Sequence, residues 1–179
     1  EASRYSLTSG GKRVRPLLVL AAAQSIDPLL DPTHIEYPGA AIEMLHTYSL
    51  VHDDLPAMDD DDLRRGRPSL HRAYNESTAI LVGDGLQARA FELLATAPGC
   101  SAQQRVEMIA TLAAAAGQHG MVGGQYIDIG ATDSTIDEAT LSAMHKLKTG
   151  ALIRAALALG GIVAGANKVQ MASLDRYGE

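Results

Sequence analysis

The stretch His52-Asp53-Asp54-Leu55-Pro56-Ala57-Met58-Asp59-Asp60-Asp61-Asp62-Leu63-Arg64-Arg65-Gly66-Arg67-Pro68 places six aspartates within ten positions and follows them with a pair of arginines. An arbitrary acidic run is more often a solvated loop. This one directly continues an apolar segment, Ala40 to Val51, whose composition predicts a helix starting after Pro38-Gly39. Asp53 and Asp54 then fall at the end of a core-facing element. Carboxylates are disfavoured there, because a helix C-terminus carries partial negative charge. Bound divalent cations would relieve that, and an all-oxygen donor set suits Mg²⁺, which takes one or two carboxylates together with substrate phosphates and water.

The spacing adds detail. On an ideal helix Asp53 and Asp59 would point about 240° apart, and Pro56 between them cannot sit undisturbed in a helix interior. A kink or bulge at Pro56-Ala57 is therefore expected to swing Asp59 back beside Asp53, so that the two carboxylates clamp metal and a diphosphate. Arg64 and Arg65 would offer forked donors to the same phosphates. An EF-hand is a poor fit, since its regular spacing and final glutamate are absent.

Outward from this run the chain reads as helices joined by short turns. Upstream, Ser9-Gly10-Gly11-Lys12-Arg13-Val14-Arg15-Pro16 sets three cations beside two glycines, ahead of a helix predicted from near Leu17 with Pro16 in its first turn. It is either a surface turn or an anion site in which glycines let phosphate reach the backbone; the P-loop pattern is missing. Downstream, helices are predicted over Thr78 to Ala97 and from Ser101, with Gln104 completing a capping box, to near Gly117. The glycine-rich stretch up to Gly130 reads as loop by propensity alone. A last long helix is predicted from near Glu138 past Lys148. No hairpin signal, repeat or internal domain boundary is evident, and 1–179 reads as one all-α domain.

Composition agrees. The 179 residues are 46% hydrophobic, with few aromatics and a net charge of -6, which argues against nucleic acid as a partner. The longest apolar stretch, Ala155 to Ala166, is too short to span a bilayer. The single cysteine, Cys100, leaves no intrachain disulfide and fits a reducing, cytoplasmic setting.

The aspartate-rich run, continued through Arg64-Arg65-Gly66-Arg67-Pro68, resembles the first metal motif of the polyprenyl synthetases, in the form with two extra residues. The resemblance covers essentially the whole chain in order. It implies an isoprenoid-synthase-type helical bundle around a central cavity and a trans-prenyltransferase that joins isopentenyl diphosphate to an allylic diphosphate. By that resemblance Asp53 and Asp59 hold Mg²⁺, and Lys12, Arg15, His46 and Arg65 hold isopentenyl diphosphate. Arg64 with Lys148 and Thr149 holds the allylic diphosphate, and Asp53, Asp59, Arg64 and Lys148 carry the catalysis. Gly124-Gln125 with Asp128 matches a further family motif lining the cavity, which implies that the glycine-rich stretch is helical after all. Read alone, His46 is more often a buried structural histidine; His52, His71 and His145 are taken as structural.

Tyr48, five residues before Asp53, and Ser49 beside it would floor the product cavity. An aromatic there accompanies short products in similar bacterial enzymes, which implies farnesyl diphosphate, with geranylgeranyl diphosphate as the alternative. The family is typically homodimeric. Its second aspartate-rich motif has no counterpart in this sequence, so the resemblance implies a domain incomplete at both ends, with the C-terminal part of the bundle missing. A class I terpene cyclase would not need the Lys12 site. A non-catalytic partner subunit stays open as an alternative.

Overall fold

The computed structural model describes residues 1–132 and 135–179. Among them lie, in order, α1 (Ala2–Leu7), α2 (Val14–Ile26), α3 (Thr33–Asp53), a hairpin of β1 (Leu63–Arg64) and β2 (Arg67–Pro68), α4 (Leu70–Ala73), α5 (Glu76–Ala95), α6 (Ala102–Ala116), α7 (Met121–Ala131), α8 (Glu138–His145), a π-helical turn (Lys146–Gly150), α9 (Ala151–Val163) and α10 (Lys168–Tyr177). The expected all-α architecture holds.

Helix starts follow local chemistry. Asn75, Ser101, Asp137 and Asn167 each accept a backbone N–H of the first turn, and Ser101 with Gln104 forms the expected capping box. Asn167 with Gln170 forms a second capping box that the sequence reading missed. The α3 helix starts earlier than expected, at Thr33, and carries Pro38 inside it. The missing N–H costs one backbone bond, but the ring is fully buried, and that burial compensates.

The core forms where α3 lies along α5 and where α2 packs on α9 and α3. Ile42 and Leu45 of α3, Leu94 of α5, Met108 and Leu112 of α6, and Leu152 and Leu159 of α9 are its largest fully buried apolar side chains. Gly160 lets α9 approach the α2 backbone at Val19, where a Cβ would collide. The α8 and α9 helices run on through the π turn as the one long helix expected past Lys148.

Two local readings need correction. The chain does not kink at Pro56; α3 ends at Asp53, and a series of turns follows. The hairpin at 63–68 was not foreseen. Leu63 pairs with Pro68 and Arg64 with Arg67, leaving Arg65-Gly66 as a two-residue turn. Both turn residues have positive φ, 54° and 75°, as a type I′ turn demands. Arginine is a poor residue for that conformation, so the usual Asn-Gly signal is missing.

Candidate active site

Asp53 closes α3, and the turns after it return the chain: the Asp59 N–H donates to the Asp53 carbonyl at 2.9 Å. Helix termination, not a kink at Pro56, thus returns the Asp59 backbone to the end of α3. Asp53 is partly buried, and Asp59 is exposed. Burial pushes the Asp53 carboxyl up to about 6; Lys148 and Arg64 oppose that, while Asp59 and Asp54 add to it. A partly buried carboxylate beside others is chemically suited to a divalent cation. Among the described residues no three His, Cys, Asp or Glu side chains gather as a metal cluster. Mg²⁺ takes one or two carboxylates when phosphates and water fill its other positions, and Asp53 and Asp59 are the candidates here.

Lys148 projects from the π turn. Its Nζ lies 2.5 Å from Asp128 Oδ2 on α7 and 4.0 Å from Asp53 Oδ2. Burial disfavours the ammonium, but the Asp128 hydrogen bond and the Asp53 charge outweigh it and raise its pKa. The glycine-rich stretch is helical, and Gly124 explains why: a Cβ there would collide with the Lys148 backbone. Close packing of α7 on the π turn thus overrides poor helix propensity. Asp128 is the ion-pair partner of Lys148, which the sequence signalled only as part of a motif.

A cavity of about 400 Å³ opens beside these groups, lined by Asp53, Lys148, Thr149, Gln125, Tyr48 and Ser49 among others. Met58, Met121 and Leu152 make its wall largely apolar. The Gln125 Nε2 is buried there without a hydrogen-bond partner. Tyr48 is buried and meets His52 edge-on at 5.4 Å between ring centroids. His52 lines the cavity as well, one turn along α3 from Tyr48.

A second cavity, about 580 Å³, is formed by Ser9 to Arg15, Glu43, His46 and Arg65. Arg15 and His46 line both cavities, so the two share a wall. Arg65 donates to the Gly10 carbonyl, and its guanidinium lies where a Cβ of Gly11 would stand. Lys12 is exposed at the rim. The Arg15 Nε is buried without a partner. Burial lowers the Arg15 pKa, and Glu43 opposes that. Burial and the surrounding arginines, Arg15 first, push His46 down to about 3, so it is neutral at ordinary pH.

Arg64 pairs with other carboxylates. Its Nε donates to Asp54 Oδ1 at 2.8 Å, a second nitrogen bonds the same oxygen, and Asp61 Oδ2 lies 3.2 Å away. It lines neither cavity. The buried partner, Asp54, is 3% exposed and was missed as a site residue.

The sequence model of the polyprenyl synthetases matches residues 1–179. The chain belongs to the polyprenyl synthetase family. It is 49% identical over 90% of its length to the farnesyl diphosphate synthase of Haemophilus influenzae, and 46% identical over its full length to that of Escherichia coli. It is also 45% identical, over 99% of its length, to the chloroplastic geranylgeranyl pyrophosphate synthase of Catharanthus roseus. The matches cover 54%, 60% and 50% of those relatives, so the chain spans little more than half their length. A crystal structure of an FPP/GFPP synthase from Zymomonas mobilis superposes with a TM-score of 0.94 at 45% identity, covering 99% of this chain and 64% of that one.

Proposed function

We propose that this polyprenyl synthetase is a Mg²⁺-dependent prenyltransferase that condenses isopentenyl diphosphate with dimethylallyl and geranyl diphosphates to give farnesyl diphosphate. The observation that carries the reading is the shared wall: a carboxylate-and-lysine cavity and a cationic cavity meet at Arg15 and His46. Two diphosphates held there would present their hydrocarbon ends to each other.

Asp53 and Asp59 would hold the metal, which when bound supplies positive charge to the allylic leaving group. Lys148, Thr149 and Gln125 bind that diphosphate, the buried Gln125 amide gaining the acceptor it lacks. Arg15, Lys12 and Arg65 bind isopentenyl diphosphate. Neutral His46 adds a hydrogen bond without charge. The C–O bond of the allylic substrate breaks with its electron pair leaving on diphosphate. The terminal alkene carbon of isopentenyl diphosphate then bonds the resulting cation, and a proton is lost to the departing diphosphate. The chain contributes position and a site with apolar walls, in which the placed cations act more strongly than in water. Arg64 joins Lys148, Thr149 and Gln125 on the allylic diphosphate, its guanidinium oriented by the Asp54 carboxylate.

Tyr48 would end the product cavity, which favours the C15 product. A homodimer is the assembly proposed; Leu81 on α5 and Val106 on α6 are exposed apolar side chains suited to an interface. No described helix is long and apolar enough to cross a membrane. The free, buried Cys100 fits a reducing compartment, for which we propose the cytoplasm.

The test is product analysis. The protein is incubated with Mg²⁺, isopentenyl diphosphate and either dimethylallyl or geranyl diphosphate, and the dephosphorylated products are chromatographed. A C15 alcohol from both starters is expected. A C20 product would select the geranylgeranyl reading, and turnover in excess chelator would overturn the metal assignment.

A further inference from the structure

The cationic cavity contains an anomaly. Glu43, a carboxylate 9% exposed, stands in the wall of a site read as holding a diphosphate. A bare negative charge there would repel the ligand. Glu43 is not bare: Arg13 Nη1 donates to its Oε1 at 2.5 Å. The other arm of the same guanidinium donates to the Leu7 carbonyl at 2.6 Å. One side chain thus joins the end of α1, the glycine loop and the middle of α3.

The Arg13 backbone is left-handed, φ 51° and ψ 36°, immediately before α2 begins. Arginine adopts that region only at an energetic cost, and such strain persists where surrounding contacts over-determine it. The fork onto Glu43 and Leu7 is that contact. It turns Arg13 away from the role its neighbours share. Lys12 stays at the rim, and Arg15 keeps a buried Nε without a partner. Glu43 also precedes His46 by three residues, so it lies on the same face of α3.

We propose that Arg13 and Glu43 are a positioning pair for the isopentenyl diphosphate subsite: Arg13 neutralises the wall carboxylate and locks the glycine loop, and Lys12, Arg15 and Arg65 bind the phosphates. The pair rests on the functional reading given above, since it presumes a diphosphate in this cavity. A carboxylate serves here because it holds the loop cation from behind while its field sustains the charge on half-buried Arg15.

The test is a double-mutant cycle on the folded full chain, read by calorimetric binding of inorganic diphosphate in excess chelator, which silences the metal-dependent subsite. Arg13→Ala should weaken binding at least roughly tenfold when Glu43 is present and less than about threefold beside Glu43→Gln, the non-additivity expected of an interacting pair. Arg15→Ala should weaken binding in both backgrounds. In turnover, Arg13→Ala should raise the KM for isopentenyl diphosphate and leave the allylic KM unchanged. Glu43→Gln preserves side-chain volume and keeps the cycle readable if the alanine variant unfolds; alone it should change the isopentenyl KM and not the allylic one. Equal losses from Arg13→Ala in both backgrounds would make Arg13 a direct ligand and overturn the proposal, as would no loss in either or a common shift of both KM values. Failure of the wild type to bind, or unaltered binding in Arg15→Ala, would overturn the functional reading itself.

Discussion

Asp53 carries its charge at a cost to the fold. Its carboxyl is pushed up to about 6, above the ordinary 3.8, first by burial. The folded state therefore holds a proton that the unfolded chain releases between about pH 4 and 6. Stability from this group is full below about pH 4 and is lost as pH rises through about 6. A shift of this size is worth about 1–2 kcal/mol after allowance for solvent access. Asp53→Asn should thus melt a few degrees higher than the wild type at pH 7.5 without Mg²⁺, with the gap closing near pH 4. The same variant should lose at least roughly 10²-fold in turnover, the scale of losing a principal electrostatic stabiliser. A variant that is neither more stable nor slower would refute the assignment. Tyr48 poses a steric question on the same helix. Tyr48→Ala removes a buried ring from the cavity wall, and product should move toward C20 or longer in the dephosphorylated extract. An unchanged product distribution would show that the floor lies elsewhere.

At the scale of elements, the site depends on two short irregular segments. The hairpin is held to the end of α3 by the Arg64–Asp54 pair. Arg64→Ala would strand the Asp54 charge in the interior, at a cost of about 3 kcal/mol. The expected result is a marked fall in melting temperature together with lost activity. Unchanged stability would show that the pair does not hold the hairpin to α3. The π turn is the second segment. A π turn interrupts the regular helical repeat and often marks a functional position. Here it carries Lys148 and Thr149, with α7 pressed against it at Gly124. Gly124→Ala should push α7 away and destabilise by about 1–3 kcal/mol, as overpacking does. Its KM for the allylic substrate should rise while that for isopentenyl diphosphate holds; a rise in both would mean a general loss of structure.

At the scale of the whole molecule, the two cavities proposed as subsites draw on different elements: the loop before α2 for one, α7 and the π turn for the other, with α3 between them. Their ligand sets should therefore separate kinetically. Arg15→Ala should chiefly raise the KM for isopentenyl diphosphate, and Lys148→Ala should chiefly impair use of the allylic substrate. Equal effects of each on both substrates would contradict the division. The helical class, the capping box at Ser101, the candidate metal pair at Asp53 and Asp59 and the cationic loop were legible from the chain alone. Each rests on residue type and short spacing, which local chemistry decides. Tertiary packing decided the rest. The α7 helix exists because glycine permits the approach to Lys148, against local propensity. The Arg65-Gly66 turn adopts positive φ although its first residue is unsuited to it. Glu43 carries no sequence mark that separates it from surface acids, and the motifs that hold Asp54 and Asp128 do not say which cation each meets; the three pair with Arg13, Arg64 and Lys148 across 30, 10 and 20 residues. Which cation meets which carboxylate over such distances depends on how the helices pack, and local spacing does not encode it.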